Sequence, residues 1–325
     1  MILNLAKREQ KYLMFNKDKI LITGGAGYLG NVIVRELIKK NYEITVIDNL
    51  YFNQKNYLES CKINFLKWDV RDAKLITKNF LESFGVIIPL AALVGAPICE
   101  ANQKAAYEIN TKSIQHIVNN ISSNTKIILP NTNSGYGIGG SKYCDESSPL
   151  NPISIYGKSK VESERIVMSH KNSISLRLAT VFGMSQRMRL DLLVNHFVSE
   201  AINDNEVEIF EGKFMRNYVY ILDVARAFCY CIENFDKMKN NVFNLGLEDV
   251  NLSKIDLANE IKKIIPNFKF KINEFDKDPD QRNYIVTNKK ILEHGFNFVG
   301  SLNEGIKELN LGIRNLPKGE KYSNI

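Results

Sequence analysis

The sequence predicts an α/β protein: a doubly wound parallel sheet with a smaller mixed lobe toward the C-terminus. Three observations predict it. From residue 19 to about residue 182, short apolar runs alternate with stretches whose apolar residues recur at helical spacing, as in a parallel sheet covered by helices. A glycine-rich turn, "TGGAGYLG" (23–30), joins the first run to the first helical stretch. After about residue 180 the alternation becomes irregular, as the start of a second lobe would make it.

The elements follow in order. "KILIT" (19–23) reads as a buried strand, "YLGNVIVRELIKK" (28–40) as a helix with one apolar face, and "YEITVID" (42–48) as the second strand. "INFLKWDV" (63–70), "GVIIPLAAL" (85–93), "KIILPN" (126–131) and "SISLRLATVF" (173–182) continue the strand series, with helices expected at 73–82, 101–121 and 154–170. Beyond them come a helix at 188–203, strands "VEIF" and "NYVYI", a helix at 222–235, and "NVFNLG" (241–246) as the last strand of the main sheet. The chain shows no internal repeat and no low-complexity linker. The expected division is an extension over 1–18, a main-sheet unit over 19–180 completed by about 217–246, and a second lobe from 181–216 and 247–325.

Composition narrows the function classes. Of 325 residues, 44% are hydrophobic and 24% charged, which is ordinary for a globular protein. No apolar run reaches the ~18 residues of a membrane span, and Lys7 to Lys11 interrupts any signal-peptide core, so no membrane association is expected. The net charge of +7 comes from scattered lysines without a basic block. It argues against nucleic acid and suits a small anionic ligand. The five cysteines, Cys61, Cys99, Cys144, Cys229 and Cys231, are odd in number and contain no CxxC pair. Ordinary thiols, no metal site and a cytoplasmic setting are expected.

Gly24, Gly27 and Gly30 have the GxxGxxG spacing between strand and helix that lets a backbone approach a pyrophosphate at a helix N-terminus. Asp48 ends the second strand, where an acid accepts hydrogen bonds from an adenosine ribose. No Arg or Lys directly follows it in "DNLY", so NAD is expected rather than NADP. Asp69 and Val70 close the third strand, a place for the adenine edge. "YGKSK" (156–160) puts Tyr156 and Lys160 on one helical face. Tyrosine ionises near pH 10, so service as a base near pH 7 needs a shift of roughly three units, about 4 kcal/mol. A cation about 4 Å away at an effective dielectric of 20 supplies that much. Lys160 is the expected cation, helped by an oxidised nicotinamide.

The pieces "ILITGGAGYLG", "DVRD", "AALVGAP", "EIN", "TNSGYG", "YGKSK" and "RNYVYILDVARA" lie between residues 20 and 227, in a likeness that runs to about residue 310. In that order they resemble the extended short-chain dehydrogenase/reductases of the sugar-nucleotide epimerase/dehydratase type. The resemblance implies an NAD-binding Rossmann domain and a substrate-binding lobe. It implies that Thr132 bonds the sugar hydroxyl being oxidised, Tyr156 removes its proton and Lys160 holds the nicotinamide ribose. Asn110 would orient Lys160 through water, and Ala91 would line the cofactor pocket. Tyr28, Leu29, Asn49 and Ala92 complete the expected cofactor set. Arg216 and Arg282 match positions near a substrate diphosphate, a role that suits the planar guanidinium fork. Asn133, Ser134, Thr180, Arg187 and Arg189 complete the expected substrate set.

"PNTNSGYG" (130–137) departs from part of that family. Its 4,6-dehydratases carry Asp and Glu after the catalytic Thr, to exchange protons so that water can leave. Here these positions are Asn133 and Ser134, and neither is a useful acid or base near neutral pH. Dehydration and Glu-assisted decarboxylation are therefore disfavoured. The family's 3,5-epimerising reductases use a Cys and a His, but no cysteine adjoins Thr132 and Cys144 is too distant to assign. Hydride removal from a sugar carbinol remains, ending either in a released ketone or in 4-epimerisation. "PNTNSGYG", "RLATVFGMSQRMRLDLLVNHFV" and "DPDQRNYIVTNKKI" resemble a subgroup of the family, bacterial GDP-D-glycero-α-D-manno-heptose 4-dehydrogenases of capsule heptose synthesis. That likeness implies a 4-keto heptose product. A 2-oxo acid is an expected hydride acceptor, with Arg187 or Arg189 for its carboxylate. A non-catalytic dinucleotide-binding sensor is the other class weighed, though such proteins usually lose the Tyr-x-x-x-Lys pair. The resemblance also implies a homodimer formed by the 101–121 and 154–170 helices, with Ile114, Ile117, Val118, Ile121, Val161, Ile166 and Val167 as the apolar excess.

Overall fold

Alternation within the strands sorts the core onto two faces of one sheet. In β1 (Lys19–Thr23), Ile20 and Ile22 join one buried cluster and Leu21 another. In β4 (Val86–Pro89), Val86 and Ile88 face one way and Ile87 the other. The computed structural model, describing residues 19–275, 282–318, 320 and 322–324, orders the seven strands β3-β2-β1-β4-β5-β7-β11, all parallel. Here β2 is Glu43–Ile47, β3 Asn64–Leu66, β5 Lys126–Thr132, β7 Ser173–Leu178 and β11 Asn241–Leu245. The expected extension over 1–18 lies outside the described residues.

Helices cover both faces. On one, α1 (Tyr28–Lys39) packs its Ile33, Val34 and Leu37 with Val224, Ala225 and Phe228 of a later helix, Ile221–Glu233. Each such side chain contributes about 1.5–3 kcal/mol by leaving water. Between them in the chain lie α2 (Lys78–Leu81), capped by Thr77, then α3 (Ala96–Ala101) and α4 (Gln103–Tyr107). A π-helical turn follows at Glu108–Lys112, then α5 (Ser113–Asn120) and α6 (Ile155–Met168), which cover the other face.

The expected strand 173–182 breaks at Ala179, whose N–H bonds Leu245 O at 2.9 Å. The chain then leaves the main sheet. β8 (Thr180–Phe182) pairs instead with β10 (Met215–Tyr220), which also pairs with β12 (Asn251–Ser253). Of three further strands, β6 (Ile138–Cys144), β9 (Glu206–Phe210) and β13 (Lys269–Asn273), only β9 was expected, as "VEIF". β6 pairs with β14 (Asn283–Val286), and β9 with β13. A cluster including Val194, Phe197, Leu257, Ile261, Ile306 and Leu309 closes this second lobe. It is built by α7 (Leu193–Ile202), α10 (Lys254–Ile264) and α12 (Leu302–Arg314), with α8 (Ile221–Glu233), α9 (Phe235–Met238) and α11 (Lys289–Glu293) completing the count. The expected helix 73–82 shortens to α2, and 188–203 begins only at Leu193.

Six of the seven apolar residues invoked for a dimer pack within the chain. Ile114, Ile117, Ile166 and Val167 are buried in the core between sheet and helices, and Val118 and Ile121 pack against it. On α4, the π-helical turn, α5 and α6 the exposed side chains are Gln103, Lys104, Tyr107, Lys112, Gln115, Asn119, Lys158 and Arg165, with Val161 partly exposed.

No helix among the described residues is long and apolar enough to cross a membrane. Cys99, Cys144, Cys229 and Cys231 are buried free thiols and Cys61 is partly buried.

Candidate active site

A cavity of about 480 Å³ opens at the carboxyl ends of β1 to β5, the place where open parallel sheets bind ligands. Its nucleotide end is set by the glycine turn. Gly24 has φ +71°, and a Cβ there would stand 2.6 Å from the Ala91 backbone. A Cβ at Gly30 would stand 2.5 Å from Gly25 O, so both glycines are needed for close packing of the turn. Gly27 is different: it lines the cavity, and its Cβ would meet only Gly24 O, at 3.2 Å. It is also the N-cap of α1, with no side-chain cap and no acid in the first turn. The first N–H groups of this helix are therefore available to an anion.

Asp48 accepts from Ala26 N at 3.0 Å and Leu50 N at 2.8 Å, tying the turn to the end of β2. Burial raises its pKa, and these two bonds and Arg187 oppose the rise. Arg187 corrects one expectation: a cation does stand near Asp48, brought from the second lobe. Its guanidinium lies over the Phe52 ring and donates to Met188 O and Asn324 Oδ1. Asp69 is held down to about 2 by the Arg71 fork, at 2.7 and 2.9 Å, and accepts from Asn49 at 2.9 Å. Val70, Leu29, Ala91 and Ala92 line the cavity as expected. Tyr28 does so too, but its hydroxyl turns away to donate to Gly183 O at 2.7 Å and accept from Asn195. This bolts the start of α1 to the second lobe.

At the other end, Thr132 closes β5, and α6 carries Tyr156 and Lys160 into the same cavity. Ser154 caps α6 by accepting from Gly157 N at 3.1 Å. Lys160 Nζ donates to Pro130 O at 2.6 Å, and burial brings its pKa down to about 8. Burial also pushes Tyr156 up to about 12; Arg282 is the first charge opposing this, and Thr132 hydrogen bonding also opposes it. Lys160 Nζ turns to the Pro130 carbonyl, and the charges that oppose the rise at Tyr156 are Arg282 and Arg189.

Asn110 does not line the cavity. Within the π-helical turn it accepts from Leu93 N at 2.8 Å and donates to Leu93 O and Ser159 Oγ, each at 3.0 Å. It clamps the loop after β4 to the catalytic helix. Asn133 and Ser134 also lie behind the cavity wall. The Asn133 amide is wholly buried with neither end hydrogen-bonded, and Ser134 Oγ meets Thr132 Oγ1 at 2.9 Å and Arg282.

Thr180, Arg189, Arg216 and Arg282 line the cavity. Arg189 is tied to Asp191 in a buried ion pair at 2.5 Å, while Arg187 bonds Met188 O and Asn324 and keeps its buried Nε–H without a partner. Sequence reasoning missed Lys254, Asp191 and His196 among the lining residues, and Glu164 beneath them. Glu164 was findable, because it stands four residues after Lys160 on the same helical face and supports its charge. Six basic side chains, Lys160, Arg187, Arg189, Arg216, Lys254 and Arg282, line the cavity against three carboxylates, Asp48, Asp69 and Asp191.

A doubly wound sheet with a glycine turn, an acid after β2 and a Thr, Tyr and Lys set at one cavity defines a dinucleotide-dependent short-chain dehydrogenase/reductase. A model of the NAD dependent epimerase/dehydratase family matches residues 20–246, and the chain belongs to that family. It is 29% identical over 237 residues to a protein of Methanocaldococcus jannaschii named putative UDP-glucose 4-epimerase, covering 70% of this chain and 76% of the relative. The structure of UDP-glucose 4-epimerase with UDP-glucose from Thermotoga maritima superposes with a TM-score of 0.80 at 26% identity, covering 91% of this chain and 98% of the other. The Thermus thermophilus UDP-glucose 4-epimerase complex with NAD gives a TM-score of 0.78 at 21% identity, covering 91% and 99%; at that identity it speaks to the fold. The chain is an NAD-dependent enzyme of the nucleotide-sugar epimerase/dehydratase family.

Gly27→Val places a branched side chain at the mouth of the helix N-terminus without a clash inside the turn beyond Gly24 O. NAD content is expected to fall to near zero while the protein stays folded by circular dichroism. Unchanged cofactor content in the folded variant would overturn the assignment of this turn to NAD.

Proposed function

We propose that this protein oxidises carbon 4 of a nucleotide-linked sugar without loss of water. The observation that carries this reading is the catalytic turn: Thr132, Tyr156 and Lys160 reach the cavity, while the residues after Thr132 are an amide and a hydroxyl. The carboxylates that line the cavity are engaged elsewhere, Asp48 with backbone N–H groups, Asp69 with Arg71, and Asp191 with Arg189. Among the described residues, no acid–base pair of the dehydratase kind is thereby offered to a neighbouring carbon.

Thr132 holds the reacting hydroxyl, Tyr156 takes its proton, and Lys160 keeps its ammonium beside the site while bonding Pro130. Gly27 and the first N–H groups of α1 hold the cofactor's pyrophosphate, with Asp48 at its ribose. When bound, NAD supplies a hydride acceptor and, in its oxidised form, a positive ring charge that favours tyrosinate. Arg216 and Arg282 bind the substrate diphosphate, and the basic excess of the cavity suits an anionic ligand.

The favoured substrate is GDP-D-glycero-α-D-manno-heptose, giving a 4-keto product for capsule heptose synthesis. The three stretches around Thr132, Arg187–Arg189 and Arg282 support it; residues 278–281 of the third lie outside the described residues. The 4-epimerase reading is supported about as well. It uses the same side chains, and the relatives are named as epimerases acting on UDP-glucose. The two readings differ only in whether the ketone leaves or turns over. A 2-oxo acid is a candidate hydride acceptor, with Arg187 or Arg189 for its carboxylate, and exchange with free NAD serves equally.

A screen of GDP-, UDP-, CDP- and dTDP-sugars with purified protein, read by mass spectrometry, tests the reading. Conversion of GDP-mannoheptose to a product lighter by two hydrogens is expected. Conversion of UDP-hexoses to isomers of unchanged mass, with GDP-mannoheptose untouched, would replace it with 4-epimerisation.

A further inference from the structure

The acid at the ribose end of the cavity faces a cation with which it does not pair. Asp48 and Arg187 both line the cavity and are 8% and 3% exposed. Asp48 accepts from Ala26 N and Leu50 N, while Arg187 donates to Met188 O and to Asn324 Oδ1 at 2.6 Å. Among the described residues, no hydrogen bond or ion pair joins the two. The guanidinium is held where it stands. It lies 5.5 Å from the centre of the Phe52 ring, in the loop after β2, and its own segment is fixed by Leu190 N donating to Tyr322 O at 2.7 Å. Its Nε–H is buried without a partner, so one donor of the fork is unspent.

Donor counting shows what suits the space between them. An ionised carboxylate offers about four acceptor sites and no donor. In Asp48 the two backbone N–H groups take one site on each oxygen, which leaves each oxygen able to accept from one hydroxyl. A hydroxyl that donates to Asp48 keeps its own acceptor lone pairs, and these need a donor. Arginine is a donor only. We infer that Arg187, supplied by the second lobe, is a further recognition group for the adenosine ribose of the dinucleotide, donating to the hydroxyls from which Asp48 accepts. This rests on the assignment of the Asp48 end to that ribose and not on which sugar is oxidised. A phosphate at the ribose 2′ position would be repelled by Asp48 and gripped by the guanidinium fork. NAD stays preferred, but NADP is rejected less than Asp48 alone would reject it. This use of Arg187 leaves Arg189 as the cation for a 2-oxo acid.

The test is competition of NAD and of NADP against NADH fluorescence in the purified protein, which needs no nucleotide sugar. Arg187→Met keeps the length of the side chain over Phe52 and removes the fork. It is expected to weaken NAD about fivefold and NADP about 100-fold, because a charge-assisted fork is lost to the phosphate. Arg187→Lys keeps the charge without the fork and should weaken NADP about tenfold. Equal weakening of both dinucleotides in folded Arg187→Met, as a purely structural role would give, would overturn the inference. So would unchanged binding, or NADP that does not compete at all in the wild-type protein. If Arg187→Met does not fold, Arg187→Lys decides on the same terms: a greater loss of NADP than of NAD supports the inference, and equal losses or none overturn it. Asp48→Asn tests the ribose assignment separately. It should weaken NAD and narrow the gap between NAD and NADP. Unchanged binding of both in folded Asp48→Asn would remove the ribose from this end, and the inference with it.

Discussion

Tyr156→Phe is expected to lower kcat by roughly 10³-fold while leaving NAD content and folding unchanged. Proton removal by a positioned side chain contributes roughly 10²- to 10⁴-fold. The phenol oxygen is the atom that would perform it, beside Thr132 and on the same helix face as Lys160. The ring itself packs against the core between sheet and helices, and phenylalanine preserves that packing. Pre-steady-state measurement of NADH formation checks the prediction directly. Retention of most of the rate would remove Tyr156 from the chemistry. Full biological function in a catalytically dead Tyr156→Phe strain would favour the dinucleotide-sensor class instead.

Glu164→Ala is expected to cost about 3–5 kcal/mol of stability, the range for leaving a buried charge without its partner. Glu164 sits under the catalytic helix. It accepts from Arg177 Nη2 at 2.7 Å, Ser175 Oγ at 2.7 Å and Asn131 Nδ2 at 2.6 Å, so it joins α6 to β5 and β7. Side-chain exposure is 6% for Arg177 and 7% for Glu164, so solvent cannot replace the lost carboxylate. A second effect follows at Lys160, whose pKa burial lowers and Glu164 opposes. Without Glu164 the lysine should lose its proton at lower pH, and activity should fall off earlier on the alkaline side. Urea denaturation measures the first effect and the pH–rate profile the second. A loss under ~1 kcal/mol would show that the network relaxes around the missing group.

The parts of the fold that were legible are those whose apolar period is set by a single neighbour. β1, β2, β4 and β5 are buried on both faces and read as apolar runs, and α1 presents one stripe to the sheet. "SISLRLATVF" hid a change of sheet at Ala179, because both halves are apolar and the break is made by Leu245, far along the chain. β6 and β14 lie in polar segments and exist as strands through each other's backbone. The 101–121 and 154–170 helices touch each other as well as the sheet, so most of their extra apolar residues serve internal packing.

The candidate site divides similarly. The glycine turn, Asp48, Thr132, Tyr156 and Lys160 are local patterns and converge as expected. Arg187 could not be placed from sequence, because its approach to Asp48 depends on the second lobe and on Asn324 near the C-terminus. Ser134 was read for what it cannot do as a base. Its contacts with Thr132 and Arg282 arise only when β5 and the segment before β14 are brought together.

We propose that this site performs redox chemistry at carbon 4 and stops there. The mass of the product formed from the preferred nucleotide sugar tests it most directly. Loss of two hydrogens is predicted for a released ketone, and unchanged mass with a new stereoisomer would place the protein with the 4-epimerases. Loss of about 18 mass units, one water, would contradict the account, because elimination needs an acid–base pair that the turn formed by Thr132, Asn133 and Ser134 does not provide.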